Sequence, residues 1–144
     1  MELKNKNFSE LTAACQAIQK MVDARCKSFE AALKEDFTKV TKDMTASSKE
    51  LLENDLEGAA TLFWLHDIES VLSAIYAFYR DLVAISANHP SLHFPHKKEP
   101  LILAYNQGRT ISLDKVDKLL QWAKQAIERH QPLQNVLETI FLQL

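Results

Sequence analysis

Between residues 61 and 86 the chain reads TLFWLHDIESVLSAIYAFYRDLVAIS, 26 residues with neither glycine nor proline. Apolar side chains recur there in steps of three and four, through Ile68, Leu72, Ile75, Tyr79 and Leu82. That period is helical. Leu62, Trp64, Leu65, Val71, Tyr76, Phe78, Val83 and Ile85 widen the apolar arc past half the circumference. A helix apolar on one stripe lies on a surface, and one apolar nearly all round lies among other helices. The stretch therefore predicts the central helix of an all-α domain. His66, Asp67, Glu69, Arg80 and Asp81 interrupt it too often for a membrane span.

A chain of 144 residues matches the size of one domain, so residues 1–144 are read as a single helical bundle. Two glycines and four prolines are too few for a fold built on many tight turns. The expected architecture is five to six helices around the central apolar one. A formal net charge of −2 gives no global reason to expect nucleic acid or membrane partners. The charge is uneven, however. Residues 50–69 hold Glu50, Glu53, Asp55, Glu57, Asp67 and Glu69 with no lysine or arginine. A solvated face is the plain reading, and a basic partner the sharper one.

The opening MELKNKNFSE is polar and reads as a lead-in, with Ser9 as the N-cap of the first helix. It has no apolar run of the kind a secretion leader carries, and the expected location is cytoplasmic. Leu11, Cys15, Ile18, Val22, Phe29, Leu33, Val40 and Met44 then mark a long amphipathic helix over about 9–44, with a turn near residues 23–27 left open. On one helix Cys15 and Cys26 lie about 16 Å apart. That is too far for a disulfide, so both are expected as thiols. Ser47 with Glu50 has capping-box form, predicting a short helix from about 48 to 57 that Gly58 ends or bends. The loop ANHPSLHFPHKKEP follows residue 86. Pro100 then starts a short helix closed by Gly108. Ser112 caps the next helix, whose stripe is Leu113, Val116, Leu119, Leu120, Ala123 and Ile127. Pro132 opens the last, with Leu133, Val136, Leu137, Ile140, Phe141 and Leu144 inward.

Groups that could do chemistry are sparse. His89, His93 and His96 stand in an H-x3-H-x2-H spacing, and three imidazoles can hold zinc with one open position. Pro90 and Pro95 place them on a loop, where helical presentation is not available, so a polar loop is the reading and no metal or cofactor is assigned. His66 and Asp67 are helix neighbours and face apart. The sequence contains no phosphate-cradling glycine loop, no G-x-S-x-G and no Glu-x-x-His pair. No enzymatic activity is expected of this chain. Lys97, Lys98 and Arg109 are too few for a nucleic-acid footprint. Helical phase leaves Lys118, Trp122 and Gln125 off the apolar stripe of their helix, and a tryptophan there is a candidate surface anchor.

Three segments together have a familiar form: LSAIYAFYRDLVAI, then LILAYNQ, then ISLDKVDKLLQWAKQAIERHQPLQNVLETIFLQL. Tyr79-Arg80-Asp81-Leu82 closes the first, Leu119-Leu120 marks the helix opened by Ser112, and Leu137-Glu138-Thr139-Ile140-Phe141-Leu142-Gln143-Leu144 ends the chain. Over about 62–144 the sequence resembles the C-terminal collar domain of the delta-prime subunit of the bacterial DNA polymerase III clamp loader. Gln131-Pro132 stands where that family has asparagines, and the chain carries no Walker-type loop, zinc-binding cysteine set or arginine-finger motif. The resemblance implies a non-catalytic oligomerisation domain in DNA replication that holds subunits in a ring. It implies gamma/tau and delta subunits as partners, with no direct contact to nucleic acid or membrane. Lys118, Trp122 and Gln125 are the expected subunit contacts. Two other readings stand beside it. One is a cytosolic helical-bundle adaptor or chaperone that takes a partner's helix in a groove. The other is a helical-bundle enzyme with a metal at His89, His93 and His96.

Overall fold

The computed structural model describes residues 2–108 and 111–144, with side chains from Phe8 onward, so Arg109 lies outside it. The described chain is an all-α helical bundle. In order it has α1 (Glu2–Val40), a 3-10 turn (Thr41–Asp43), α2 (Ala46–Ser86), a second 3-10 turn (Pro95–Lys97), α3 (Lys98–Asn106), α4 (Leu113–Glu128) and α5 (Leu133–Gln143).

Several boundaries differ from expectation. Helix α1 starts at Glu2 rather than Ser9, because no proline or glycine stops it from extending upstream. It runs unbroken through residues 23–27 and ends at Val40, where a 3-10 turn replaces the last predicted helical residues. The separate helix over 48–57 does not exist. Helix α2 continues for 41 residues, about 60 Å at 1.5 Å per residue. Gly58 does not end it, since one glycine costs only about 1 kcal/mol in a helix interior and good helix formers flank it. The cap of α2 is Thr45, whose Oγ1 accepts the Ser48 N–H at 3.4 Å, in place of the predicted Ser47. Helix α3 begins two residues before Pro100, which occupies the first turn where its missing N–H would have had no intrahelical partner.

Gly58 supplies a direct test of this continuity. A Cβ built there meets nothing within 4 Å. Gly58→Ala is therefore expected to stabilise the protein by about 0.5–1 kcal/mol, by restricting the unfolded chain and improving helix propensity. Thermal denaturation followed by circular dichroism checks it, and a lowered midpoint would contradict an unbroken α2.

Three helix ends use backbone in the left-handed region. Gly108 (φ 78°) follows α3, as predicted. Asn88 (φ 52°) and His130 (φ 61°) follow α2 and α4. After α4 the His130 N–H donates to the Ile127 carbonyl at 2.9 Å and the Gln131 N–H to the Ala126 carbonyl at 3.0 Å. After α2 the same pair of bonds runs from Asn88 to Ile85 and from His89 to Ala84. Both are Schellman stops, which satisfy carbonyls the helix leaves open.

The chain divides into two compact units. The first is Met1–Cys15 with Ser70–Leu144. Its buried apolar side chains come from five helices: Cys15, then Leu72, Ile75, Ala77 and Leu82, then Leu101, then the stripes of α4 and α5. Helices α4 and α5 pack on each other, and Lys115 Nζ donates to the Gln143 carbonyl, joining the start of one to the end of the other.

The second unit, Gln16–Glu69, is a pair of antiparallel helices. Arg25 Nε lies 2.7 Å from Asp67 Oδ2, and one turn further along α1 Phe29 stacks on Phe63 with ring centroids 4.2 Å apart and planes 7° apart. The partner position falls as the α1 position rises, which fixes the antiparallel sense. The Arg25–Asp67 contact is a charge pair rather than an aligned hydrogen bond, because Asp67 Oδ2 is buried and accepts none. At the tip, Thr41 Oγ1 donates to the Phe37 carbonyl at 2.9 Å, closing α1. No described helix is long and apolar enough to cross a membrane.

The predicted central helix is only partly covered. Asp67, Ile68, Leu72, Ile75, Ala77, Asp81 and Leu82 are buried, but Leu62 is 69% exposed, and Leu65, Tyr76 and Val83 are exposed as well. So wide an arc predicts burial among other helices along the whole stretch. Residues 61–69 instead belong to the two-helix unit, which covers one side of them.

Candidate functional site

Three places gather side chains that could act. The first is the end of α2. Asp81 is completely buried. Its Oδ1 accepts the His93 N–H at 2.9 Å and its Oδ2 the Phe94 N–H at 2.7 Å, while Arg80 Nη2 donates to Oδ1 at 3.0 Å. Burial pushes this carboxyl up, but the two backbone donors and the Arg80 guanidinium outweigh it and hold Asp81 below the usual carboxylate range. A carboxylate held ionised by backbone N–H groups is a bracket that pins the loop after α2. It is not poised to take or give a proton near neutral pH.

That bracket decides what the histidine loop does. His89, His93 and His96 are all exposed. His89 Nδ1 accepts the Ser91 N–H at 3.2 Å. The His93 ring meets Phe94 edge-on at 4.6 Å, and His96 meets the same ring edge-on at 6.2 Å. The three imidazoles are not brought into one ligand set. Among the described residues, no group of three or more His, Cys, Asp or Glu side chains is arranged to hold a metal ion. The two cysteines are free thiols. Burial, then Glu138, pushes Cys15 up; burial, then Glu30, Asp23 and Asp67, pushes Cys26 up. A thiol moved in that direction is less nucleophilic at neutral pH.

The second place is the outer face of α4. Val116, Leu119, Leu120, Ala123, Ala126 and Ile127 are buried, which turns the opposite face outward. Lys118, Trp122 and Gln125 are exposed at i, i+4 and i+7, one stripe of that face. Trp122 is 37% exposed. Lys118 Nζ donates to Asp114 Oδ2 at 2.7 Å, and that hydrogen bond raises its pKa. The stripe presents an indole flanked by a cation and an amide, a composition suited to anchoring a protein partner.

The third place has lining residues that the sequence does not single out as a site. In the two-helix unit a groove of about 590 Å³ runs between α1 and α2, with Leu33, Phe37, Leu56 and Ala60 along it. Its signal needed the pairing register of two helices, which no single stretch carries. Arg25–Asp67 and the Asp81 bracket were missed for the same reason, although a buried carboxylate at a helix end before a proline-containing loop is a recognisable pattern.

No protein-family model, no curated protein and no solved structure matches the chain.

Proposed function

We propose that this chain is a non-catalytic assembly domain of the clamp-loader collar type, holding replication subunits in a ring. One observation supports the reading most. The part of the sequence that resembles a delta-prime collar, about 62–144, nearly coincides with the long segment Ser70–Leu144 of the first compact unit.

In this reading Asp81 of the Arg-Asp-Leu stretch is an internal brace. It fastens the loop that leads into α3 back onto the end of α2. The outer face of α4, with Lys118, Trp122 and Gln125, meets a neighbouring subunit. Such a contact in a ring is heterologous, with a different patch on each side. The gamma/tau and delta subunits are the partners, and neither nucleic acid nor membrane is touched directly.

Mixing the purified chain with gamma/tau and delta from the same source, followed by sedimentation velocity, tests this. A complex of defined stoichiometry is expected. Trp122→Ala is expected to weaken it by about tenfold or more, the loss typical of a central aromatic anchor. Its unfolding midpoint should stay near that of the parent. Separate sedimentation of all components at high micromolar concentration would refute the assignment.

A further inference from the structure

The groove of the two-helix unit carries a conclusion that the collar reading does not contain. Its lining comes from one face of each helix. On α1 the positions are Glu30, Leu33, Lys34, Phe37 and Thr38, and on α2 they are Glu53, Leu56, Glu57 and Ala60. Both sets step by three and four, so each is one helical stripe. Leu33, Phe37 and Leu56 are half-buried and Ala60 is buried, which makes the floor apolar. Glu53 and Glu57 are exposed and Glu30 half-buried, so three carboxylates border that floor against one cation, Lys34.

Two helices alone leave such a seam open. Of the apolar side chains described in residues 16–69, only Val22, Ala60 and Ile68 are buried. A seam between two antiparallel helices, bounded by i, i+3, i+4 and i+7 ridges, has the form a third helix fills. The charge then selects among occupants. Residues 50–69 contain six carboxylates and no lysine or arginine. A second copy docked by the same face would set Glu30, Glu53 and Glu57 against their own counterparts. Nucleic acid and anionic lipid headgroups carry the border's own sign and are repelled.

We propose that this groove receives a helix of a protein partner, apolar on the side that enters and basic along its flanks. The partner's lysines or arginines pair with Glu30, Glu53 and Glu57, while its apolar ridge covers Leu33, Phe37 and Leu56. All the groove residues precede position 62, so the site stands outside the segment that resembles a collar and does not depend on that reading.

The probe is a fluorescein-labelled helix of about 18 residues, five turns, with leucine on one stripe and lysine elsewhere. Its companions are a leucine–glutamate version and a shuffled leucine–lysine peptide without a stripe. Anisotropy titrations use the full chain at about 0.15 M salt, where distant charges are screened. The striped lysine peptide is expected to bind at least about tenfold more tightly than the shuffled one, and the glutamate version not to bind. The double variant Glu53→Lys/Glu57→Lys should weaken binding by about tenfold or more, and Glu128→Lys, on α4, by less than about twofold. Leu56→Asp should abolish binding, and circular dichroism establishes whether that variant is folded; the exposed Glu53/Glu57 pair carries the test if it is not. Equal binding of the striped and shuffled peptides would reduce the effect to bulk charge and overturn the proposal. So would undiminished binding by the Glu53→Lys/Glu57→Lys variant. A chain that sediments as a dimer, and becomes monomeric in that variant, would assign the groove to a second copy instead.

Discussion

Leu137→Ala lowers the unfolding free energy by about 2–5 kcal/mol, the range for deleting a large aliphatic side chain from a packed core. Leu137 has no solvent exposure, and its neighbours along α5, Leu133, Val136 and Ile140, have none either. The cavity left behind is therefore lined by side chains that are themselves held. Transfer and cavity terms act in the same direction, because a close-packed site relaxes only partly. Leu142 lies on the same helix but is 60% exposed. Leu142→Ala should change stability by less than about 0.5 kcal/mol. Urea unfolding of both variants, read by far-ultraviolet circular dichroism, checks the contrast. Equal losses would mean that α5 does not present the face described.

Asp81→Ala is the second large effect, expected to cost about 2–4 kcal/mol, since hydrogen bonds to a charged group contribute more than neutral ones. The substitution strands the N–H groups of His93 and Phe94 and leaves Arg80 without its partner. Loss should be visible both in urea unfolding and as faster proteolysis in the loop at residues 87–94. The carboxyl is held below its ordinary value in the folded protein, so the unfolded chain binds the proton more readily. Its stabilising contribution is thus fully present above the ordinary carboxylate pKa of about 4, and is lost as pH falls through the lower folded value. Asp81→Asn removes that dependence. Stability profiles of the parent and Asp81→Asn should converge on acidification below about pH 4. A gap that persists unchanged at low pH would show that Asp81 is not ionised in the fold.

The helices that pack by a single stripe were readable in advance. The spacing of Val116, Leu119, Leu120, Ala123 and Ile127 named the buried face of α4, and that of Leu133, Val136, Leu137 and Ile140 named the face of α5. Each depends only on period and on one neighbour. The outward stripe of Lys118, Trp122 and Gln125 followed from the same phase. Helix α2 was less legible, because Ser47, Ser48 and Gly58 are punctuation in most contexts. Here their small propensity penalties are outweighed by helix formers on both sides. Thr45 took the cap from Ser47 because its hydroxyl is the one placed to meet the free N–H of the first turn. Asp81 was visible as part of a motif but not as a bracket, since its donors lie 12 and 13 residues downstream and reach it only when the loop folds back. The groove was least legible of all. Glu30 and Glu57 are neighbours only once Phe29 has stacked on Phe63.

The uneven distribution of buried apolar side chains has a consequence for how the molecule comes apart. Residues 16–69 contribute Val22, Ala60 and Ile68, while every other described buried apolar side chain belongs to the first unit. Local opening free energies follow such differences in burial. The antiparallel pair is then the part of the molecule that separates at least expense, well before global unfolding. A segment with that property samples open forms continually, and whatever helix settles into its seam acts as a lock on motions that the rest of the protein does not share.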